Sequence, residues 1–222
     1  MSRPGEDRHA TTRLGGVSLL RMLVTMTAIW VMITLYSNER VLTPEVIARL
    51  AMGGGGMAMT TDQNSRFARL ELLAYGALPF LLTLRVGSTA LVLHLFSMLL
   101  TTEIGYRELF RASLWGFSAV MYGMSVHTLR LALLGPDLTM ADLSVVPDSL
   151  GALISSPSPT MAYHALSLLS LHGLLWIGIV FAYFRFECCV SKRAALLVPC
   201  ATWTTISLAQ LGLKTFTAQI LG

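Results

Sequence analysis

Four histidines lie within apolar stretches of the sequence: His94, His127, His164 and His172. A buried neutral imidazole can bind a haem iron or a chlorophyll-type magnesium. A bridged cofactor needs two histidines at matched depth on facing helices. The predicted spans place His94 and His172 nearer the middle of the membrane, and His127 and His164 nearer its outer face. A hydrogen-bonded histidine between helices is the commoner arrangement, so a cofactor-bearing subunit is the second of three hypotheses for function.

Two arginines also fall inside predicted spans, Arg85 and Arg130. A charge inside the bilayer is costly and marks a functional site by default. For Arg130 the expected partner is an anionic lipid headgroup, or Asp137 or Asp142 just beyond the helix end. Arg85 is expected at a similar depth, so the two arginines could share an anionic ligand. They carry the third hypothesis, a small transporter or lipid-handling protein.

The acidic and nucleophilic residues of the sequence do not form a known catalytic motif. The acids closest to the predicted spans, Glu71 and Glu103, both lie near span boundaries. The chain contains no HExxH, no GxSxG and no paired aspartates, which are the usual signatures of membrane hydrolases and metalloenzymes. The sequence therefore predicts a protein that is not an enzyme and has no metal site.

The composition indicates a membrane protein. Of 222 residues, 54% are hydrophobic and only 13% are charged, which is too apolar for an ordinary soluble domain. The net charge of +4 does not indicate nucleic-acid binding, because the few lysines and arginines lie at span ends, as the cytoplasmic bias of positive charge predicts. The expected partners are the lipid bilayer and other integral membrane proteins.

Residues 161–184 contain no charged side chain, and about 24 helical residues reach roughly 36 Å, enough to cross a hydrocarbon core of about 30 Å. The preceding segment carries aspartates and no lysine or arginine, whereas Arg185, Lys192 and Arg193 follow it closely. This asymmetry places the C-terminal end of the segment in the cytoplasm.

The complete prediction is an all-α polytopic bundle of five transmembrane helices, with a cytoplasmic N-terminus and an outer C-terminus. Region 67–101 can be interpreted as one span or as two short spans broken at residues 85–88. Two spans would reverse both later loops and violate the positive-inside rule, so one span is preferred. A cytoplasmic tail (1–13) precedes one membrane domain (14–222), with spans 14–36, 78–101, 114–134, 161–184 and 194–213 and outer loops 37–77 and 135–160.

Small residues line one face of the third predicted span, including Gly116, Ala119 and Gly123. Such a face permits close approach of helices, which is how membrane helices associate without a hydrophobic drive. With no self-contained chemical site in the sequence, the first hypothesis is a non-catalytic scaffold or accessory subunit that packs against other membrane proteins in a larger complex.

The order of these features resembles the Yip1 family, particularly its bacterial members, over residues 105–214. The stretch GYRELFRASLWGFSAVMYGMSVHTLRL is an Arg-aromatic entry into a small-residue span. The outer loop DSLGALISS then precedes the fourth span, and SKRAALLVPCATWTTISLAQLGLK is a basic turn with a Trp-bearing last span. Bacterial relatives often carry an acid in the fourth span, where this chain has His172 and Gly173. The resemblance implies a five-span protein of the bacterial inner membrane. Eukaryotic members of the family organise membranes through small GTPases and trafficking partners, bacterial members have no agreed activity, and the resemblance transfers no catalytic residue.

Overall fold

Helices dominate the computed structural model, which describes residues 18–43, 46–47, 61–135, 138–139, 142–143, 145–153 and 161–221. Within these ranges there is no β-strand, and a π-helical turn (Ser37–Val41) and a short 3-10 helix (Leu150–Leu153) accompany the α-helices. The α-helices are α1 (Leu19–Tyr36), α2 (Thr61–Leu99), α3 (Tyr106–Leu134), α4 (Met161–Ser167), α5 (Leu171–Phe186) and α6 (Lys192–Leu221).

Among the described residues, four helical stretches are long and apolar enough to cross a membrane: Leu19–Val41, Leu73–Leu99, Tyr106–Leu134 and Lys192–Leu213. Helix α5 is apolar but shorter, with 16 residues, or about 24 Å of helix. The protein is therefore an all-helical bundle whose apolar helices are consistent with an integral membrane protein.

Helix α2 is continuous through Arg85 and begins at Thr61, earlier than the predicted span at residue 78. It is not broken at residues 85–88, so the structure has a single helix where the sequence also allowed two short spans. Pro79 lies inside this helix, and the Thr83 hydroxyl donates to the Pro79 carbonyl oxygen at 2.8 Å. The first part of α2 occupies residues that were predicted as outer loop.

The predicted fourth span is wrong as a single helix, because the structure divides it into α4 and α5. The break is at Ser170, which has extended backbone angles and caps α5 by accepting a hydrogen bond from the Gly173 amide. Ser170 also forms an antiparallel bridge with Ser149. The outer loop thus pairs with the chain at the break, and this tertiary contact outweighs the helical preference of the apolar run.

The other predicted boundaries differ by a turn or two. Helix α3 begins at Tyr106 rather than at residue 114, and Gly135, with φ of 71°, ends it. Helix α6 begins at Lys192 and extends past residue 213. The start of the predicted first span (14–17) and the N-terminal tail (1–13) lie outside the described residues.

Helix α3 is the centre of the bundle and packs against α1, α2 and α5, while α6 packs against α2 and α5. The main core cluster includes Leu109 of α3, Val180 and Phe184 of α5 and Val198 of α6, all fully buried. Helix α1 contributes less, and Met22 is its one buried residue. The arrangement leaves a gap between α2, α3, α5 and α6.

Candidate functional site

A cavity of about 480 Å³ occupies this gap, a size within the usual range for small-molecule sites. Its walls come from four helices and from the segments that surround the break between α4 and α5. The lining combines one cation, several hydroxyls and an aromatic wall, and includes Arg85, Ser88, Thr89, Ser113, Phe117, Val146, Ser170, His172, Trp176, Trp203, Ser207 and Gln210.

Arg85 is the cationic group of the cavity. Its guanidinium carbon lies 5.4 Å from the centroid of the Phe117 ring, within the distance for a cation–π interaction. Within the described part of the chain, no carboxylate forms an ion pair with this guanidinium. Arg85 is an exposed residue, and it presents hydrogen-bond donors and a positive charge at the wall of the cavity.

Trp176 and Trp203 form the aromatic wall. Their ring centroids are 5.5 Å apart, and both indoles fit against glycines. A Cβ atom at Gly116 would come within 2.5 Å of Trp176 Nε1, and one at Gly173 within 2.5 Å of Trp203 Cζ2. The glycines therefore allow two large rings to lie beside helix backbones, where they leave an apolar surface for a ligand.

Ser113 adds an unpaired donor to the same wall. It is 2% exposed, and its hydroxyl oxygen has no hydrogen-bond partner among the residues that the structure describes. An unsatisfied buried hydroxyl costs free energy, and an oxygen atom of a ligand in the cavity would remove that cost. By contrast, the hydroxyls of Ser88 and Thr89 both donate to the Arg85 carbonyl oxygen at 2.9 Å.

Asp148, His172 and Ser170 form a hydrogen-bonded series at the cavity. His172 Nδ1 lies 2.8 Å from Asp148 Oδ2, and His172 Nε2 lies 3.2 Å from the Ser170 hydroxyl oxygen. The His172 backbone amide also donates to Asp148 Oδ2 at 2.9 Å. The Asp148 side chain is 5% exposed, so the imidazole is held between a buried carboxylate and a hydroxyl.

Backbone pairing between the outer loop and the helix break brings this series together. The Leu150 amide donates to the Leu169 carbonyl oxygen at 3.0 Å, and the Leu171 amide donates to that of Asp148 at 2.8 Å. The Tyr163 hydroxyl accepts from the Val146 amide at 2.9 Å. These bonds fix Asp148 beside the first turn of α5. Sequence reasoning missed this series because its members are not spaced as any local motif.

The structure places the predicted histidines in different surroundings. His94 stacks edge-on against Tyr106, with ring centroids 6.2 Å apart. Its Nδ1 is buried and has no hydrogen-bond partner in the described part of the chain. His127 is half-buried on α3, and the side chain of His164 lies outside the described residues. In His172 both ring nitrogens have partners already. Among the described residues there is no cluster of three or more histidines, cysteines or acids that could hold a metal ion.

Arg130 forms an ion pair with Asp142, one of the two aspartates that the sequence offers as alternatives to a lipid headgroup. Its guanidinium donates to Asp142 Oδ1 at 3.1 Å and to the Asp142 carbonyl oxygen at 2.9 Å. Arg85 lies over Phe117, which is 13 residues before Arg130 on α3, or about 20 Å along the helix. The structure does not bring the two arginines to one ligand.

The predicted packing residues of α3 face α5 of the same chain. Gly116 contacts Trp176, and a Cβ atom at Gly123 would come within 2.9 Å of His172 Cγ. Ala119 is 2% exposed and belongs to the main core cluster. The small-residue face of α3 therefore accommodates large side chains from within the bundle.

A second polar cluster, which the sequence did not predict, lies at the end of the bundle where α3 begins and α5 ends. Glu108 accepts hydrogen bonds from the Tyr183 hydroxyl and from the Arg111 guanidinium. Cys188 lies nearby, and burial, together with the negative charges of Glu108 and Glu187, raises the pKa of its thiol to about 12. This thiol is therefore inert as a nucleophile near neutral pH.

Comparison with protein-family models, curated proteins and solved structures gives no match.

Proposed function

We propose that this protein is an integral membrane protein that binds an anionic amphiphile, a lipid or lipid-like molecule, in the cavity between α2, α3, α5 and α6. The observation that carries the proposal is Arg85, a cation without a carboxylate partner in the described part of the chain, at the wall of that cavity. This corresponds to the lipid-handling hypothesis, with Arg85 alone as the anion contact.

A charge inside the bilayer is costly unless it has a partner. An anionic headgroup about 4 Å from the guanidinium would gain roughly 4 kcal/mol at an effective dielectric constant of about 20. Desolvation of the headgroup offsets part of this gain. A net 1.4 to 2.8 kcal/mol corresponds to an affinity preference of about 10- to 100-fold for an anionic over a neutral headgroup.

The rest of the lining fits the other parts of such a ligand. The unpaired Ser113 hydroxyl can donate to a headgroup or ester oxygen. Trp176 and Trp203 give the apolar surface that an acyl chain or ring requires. A cavity with a few convergent polar groups on a mostly apolar wall is the usual form of a ligand site.

The scaffold or accessory-subunit function remains the second candidate, and the observation in its favour is an exposed α1. Within that helix only Met22 is buried, whereas large apolar residues such as Leu20 and Met32 are exposed. The small-residue face of α3 no longer supports this candidate, because Trp176 and His172 of the same chain occupy it. The resemblance to the Yip1 family also favours the scaffold or accessory-subunit candidate, and this resemblance stays a prediction.

For the topology we propose five spans, with α5 as the shortest, a cytoplasmic N-terminus and a location in a bacterial inner membrane. The support is the distribution of charge. Arg185, Lys192 and Arg193 surround the turn between α5 and α6, whereas Asp142 and Asp148 lie at the opposite end of the bundle. Positive charge favours the cytoplasmic side.

Analysis of lipids that co-purify in mild detergent tests the binding proposal. Wild-type protein is expected to retain a stoichiometric anionic amphiphile, and Arg85→Gln is expected to retain at least tenfold less. Arg21→Gln is the matched control, because Arg21 is an exposed arginine of α1 that does not line the cavity. Equal anionic lipid in wild type and Arg85→Gln would refute the proposal. An absorbance spectrum of the same sample tests the cofactor hypothesis, which requires a Soret or Qy band.

A further inference from the structure

The Asp148–His172–Ser170 series has the geometry of an activated nucleophile. Two of its members, Ser170 and His172, line the cavity, and Asp148 lies behind the imidazole with a side chain that is 5% exposed. A neutral imidazole with a proton on Nδ1 donates to Asp148 Oδ2 over 2.8 Å. Nε2 is then an acceptor for the Ser170 hydroxyl at 3.2 Å, which is the protonation state that a general base requires.

We infer that Ser170 is a nucleophile, with His172 as its general base and Asp148 as the residue that positions the imidazole, and that the cavity hydrolyses an acyl ester of its amphiphilic ligand. The substrate class rests on the proposed function, because Arg85 selects an anionic headgroup and the Trp176–Trp203 wall accommodates the chain. The nucleophile itself rests on the geometry of the series alone.

The reaction balances with water as the only co-reactant. Ser170 Oγ attacks the acyl carbonyl carbon while His172 Nε2 takes the hydroxyl proton, and the alcohol leaves with that proton as its C–O bond breaks. Water then attacks the acyl-serine, and its proton passes to His172 Nε2. The carboxylic acid leaves, and the proton returns to Ser170 Oγ. Asp148 stays ionised throughout and stabilises the imidazolium.

A helix cap explains only part of this arrangement. Ser170 Oγ accepts from the Gly173 amide at 3.2 Å, and Asp148 Oδ2 accepts from the His172 amide at 2.9 Å. Both bonds cap α5 and use no atom of the imidazole ring. The Nδ1 and Nε2 contacts are additional, and they align the ring between a carboxylate and a hydroxyl at a ligand cavity. Chemical reactivity of Ser170 separates the two roles.

The test is labelling of the full-length protein, in lipid nanodiscs, with an uncharged fluorophosphonate probe. Wild type is expected to gain one adduct by intact mass, and peptide mapping is expected to place it on Ser170. Ser170→Ala is expected to gain none. Ser125→Ala is the control, since Ser125 is an exposed serine of α3 that does not line the cavity, and it should label as wild type. A folded wild-type protein that gains no adduct overturns the inference.

Asp148→Asn keeps the shape of the side chain and an oxygen that can accept from the His172 amide, so it protects the test against loss of the fold. It is expected to lower the maximal labelling rate at least 100-fold with little change in the half-saturating probe concentration. An unchanged rate overturns the assignment of Asp148. The probe carries no anionic headgroup, so labelling of Ser170 and retention of anionic lipid are measured independently of each other in the wild-type protein. If Ser170 is labelled but no anionic lipid is bound, only the ligand proposal is refuted. If anionic lipid is bound but Ser170 is not labelled, only the assignment of Ser170 as a nucleophile is refuted.

Discussion

Replacing Gly116 by alanine is expected to destabilise the contact between α3 and α5, on which the aromatic wall depends. A Cβ atom at this position would lie 2.5 Å from Trp176 Nε1 and 2.8 Å from Trp176 Cδ1. The indole cannot swing away cheaply, because Trp176 is 3% exposed and packs against Trp203. Either the ring or the helix axes must shift, and overpacking of this kind costs about 1 to 3 kcal/mol.

Gly178→Ala is the matched control, because Gly178 lies on α5 with no heavy atom within 4 Å of its would-be Cβ. Both substitutions gain about 1 kcal/mol of helix propensity, so the difference between the two variants isolates packing. We expect Gly178→Ala to be about 1 kcal/mol more stable than wild type. Gly116→Ala should lie about 1 to 3 kcal/mol below Gly178→Ala, which is about 0 to 2 kcal/mol below wild type.

The assay is unfolding by SDS in mixed micelles, followed by near-ultraviolet circular dichroism, which reports the packing of the tryptophans. Each variant gives a free energy of unfolding by linear extrapolation. Two variants of equal stability within about 0.5 kcal/mol would show that Trp176 does not pack on Gly116, and would remove the basis for the cavity wall.

Two further predictions follow from the polar groups at the two ends of the bundle. At pH 8 a maleimide should label the exposed Cys189 and leave Cys188 unmodified. A thiol with a pKa of about 12 is only about one part in ten thousand thiolate at that pH. Equal labelling of the Cys188→Ala and Cys189→Ala variants would contradict this prediction. Arg130→Gln should lower the free energy of unfolding by about 1 kcal/mol at pH 7. Hydrogen bonds from Thr139, and secondarily Arg130, lower the pKa of Asp142. The loss should therefore persist below the ordinary aspartate range and disappear only when the pH falls through this lowered pKa, because the pair is lost once the carboxyl is protonated. A loss that remains after Asp142 is protonated would show that the ion pair is not its source.

The sequence predicts helices well where local composition decides the outcome. Helix α2 is continuous through Arg85, because a long apolar run tolerates one arginine that finds a cavity and an aromatic ring. The pairing of Arg130 with Asp142 was also predictable, since the aspartate lies shortly beyond the end of the same helix. In both cases the deciding groups are close in sequence.

Features that depend on tertiary pairing were not predictable in this way. Residues 161–184 carry no charged side chain, and the helix breaks where residues 169–171 pair with residues 148–150. The bond between His172 and Asp148 joins residues 24 positions apart. Ser170 before an apolar run is a weak cap signal, but nothing local indicates that a carboxylate will meet the adjacent histidine.

The small-residue face of α3 lies between these extremes. Gly116 and Gly123 indicate close helix approach, yet the sequence does not say which helix approaches. The structure shows α5 of the same chain, which contributes Trp176 and His172. Which helix packs on α3 depends on the connectivity and lengths of all the helices together. Because that helix is α5 of the same chain, the small-residue face indicates an internal cavity and not contact with another protein.

The most direct test of the central claim uses lipids with brominated acyl chains, which quench tryptophan fluorescence on contact. Trp176 and Trp203 line the cavity, so titration with brominated phosphatidic acid and brominated phosphatidylcholine reports occupancy for an anionic and a zwitterionic headgroup. We predict that wild type binds the phosphatidic acid at least tenfold more tightly and that Arg85→Gln binds the two lipids equally. Equal binding of both lipids by wild type, or an unchanged preference in Arg85→Gln, would contradict the claim that Arg85 selects an anionic ligand.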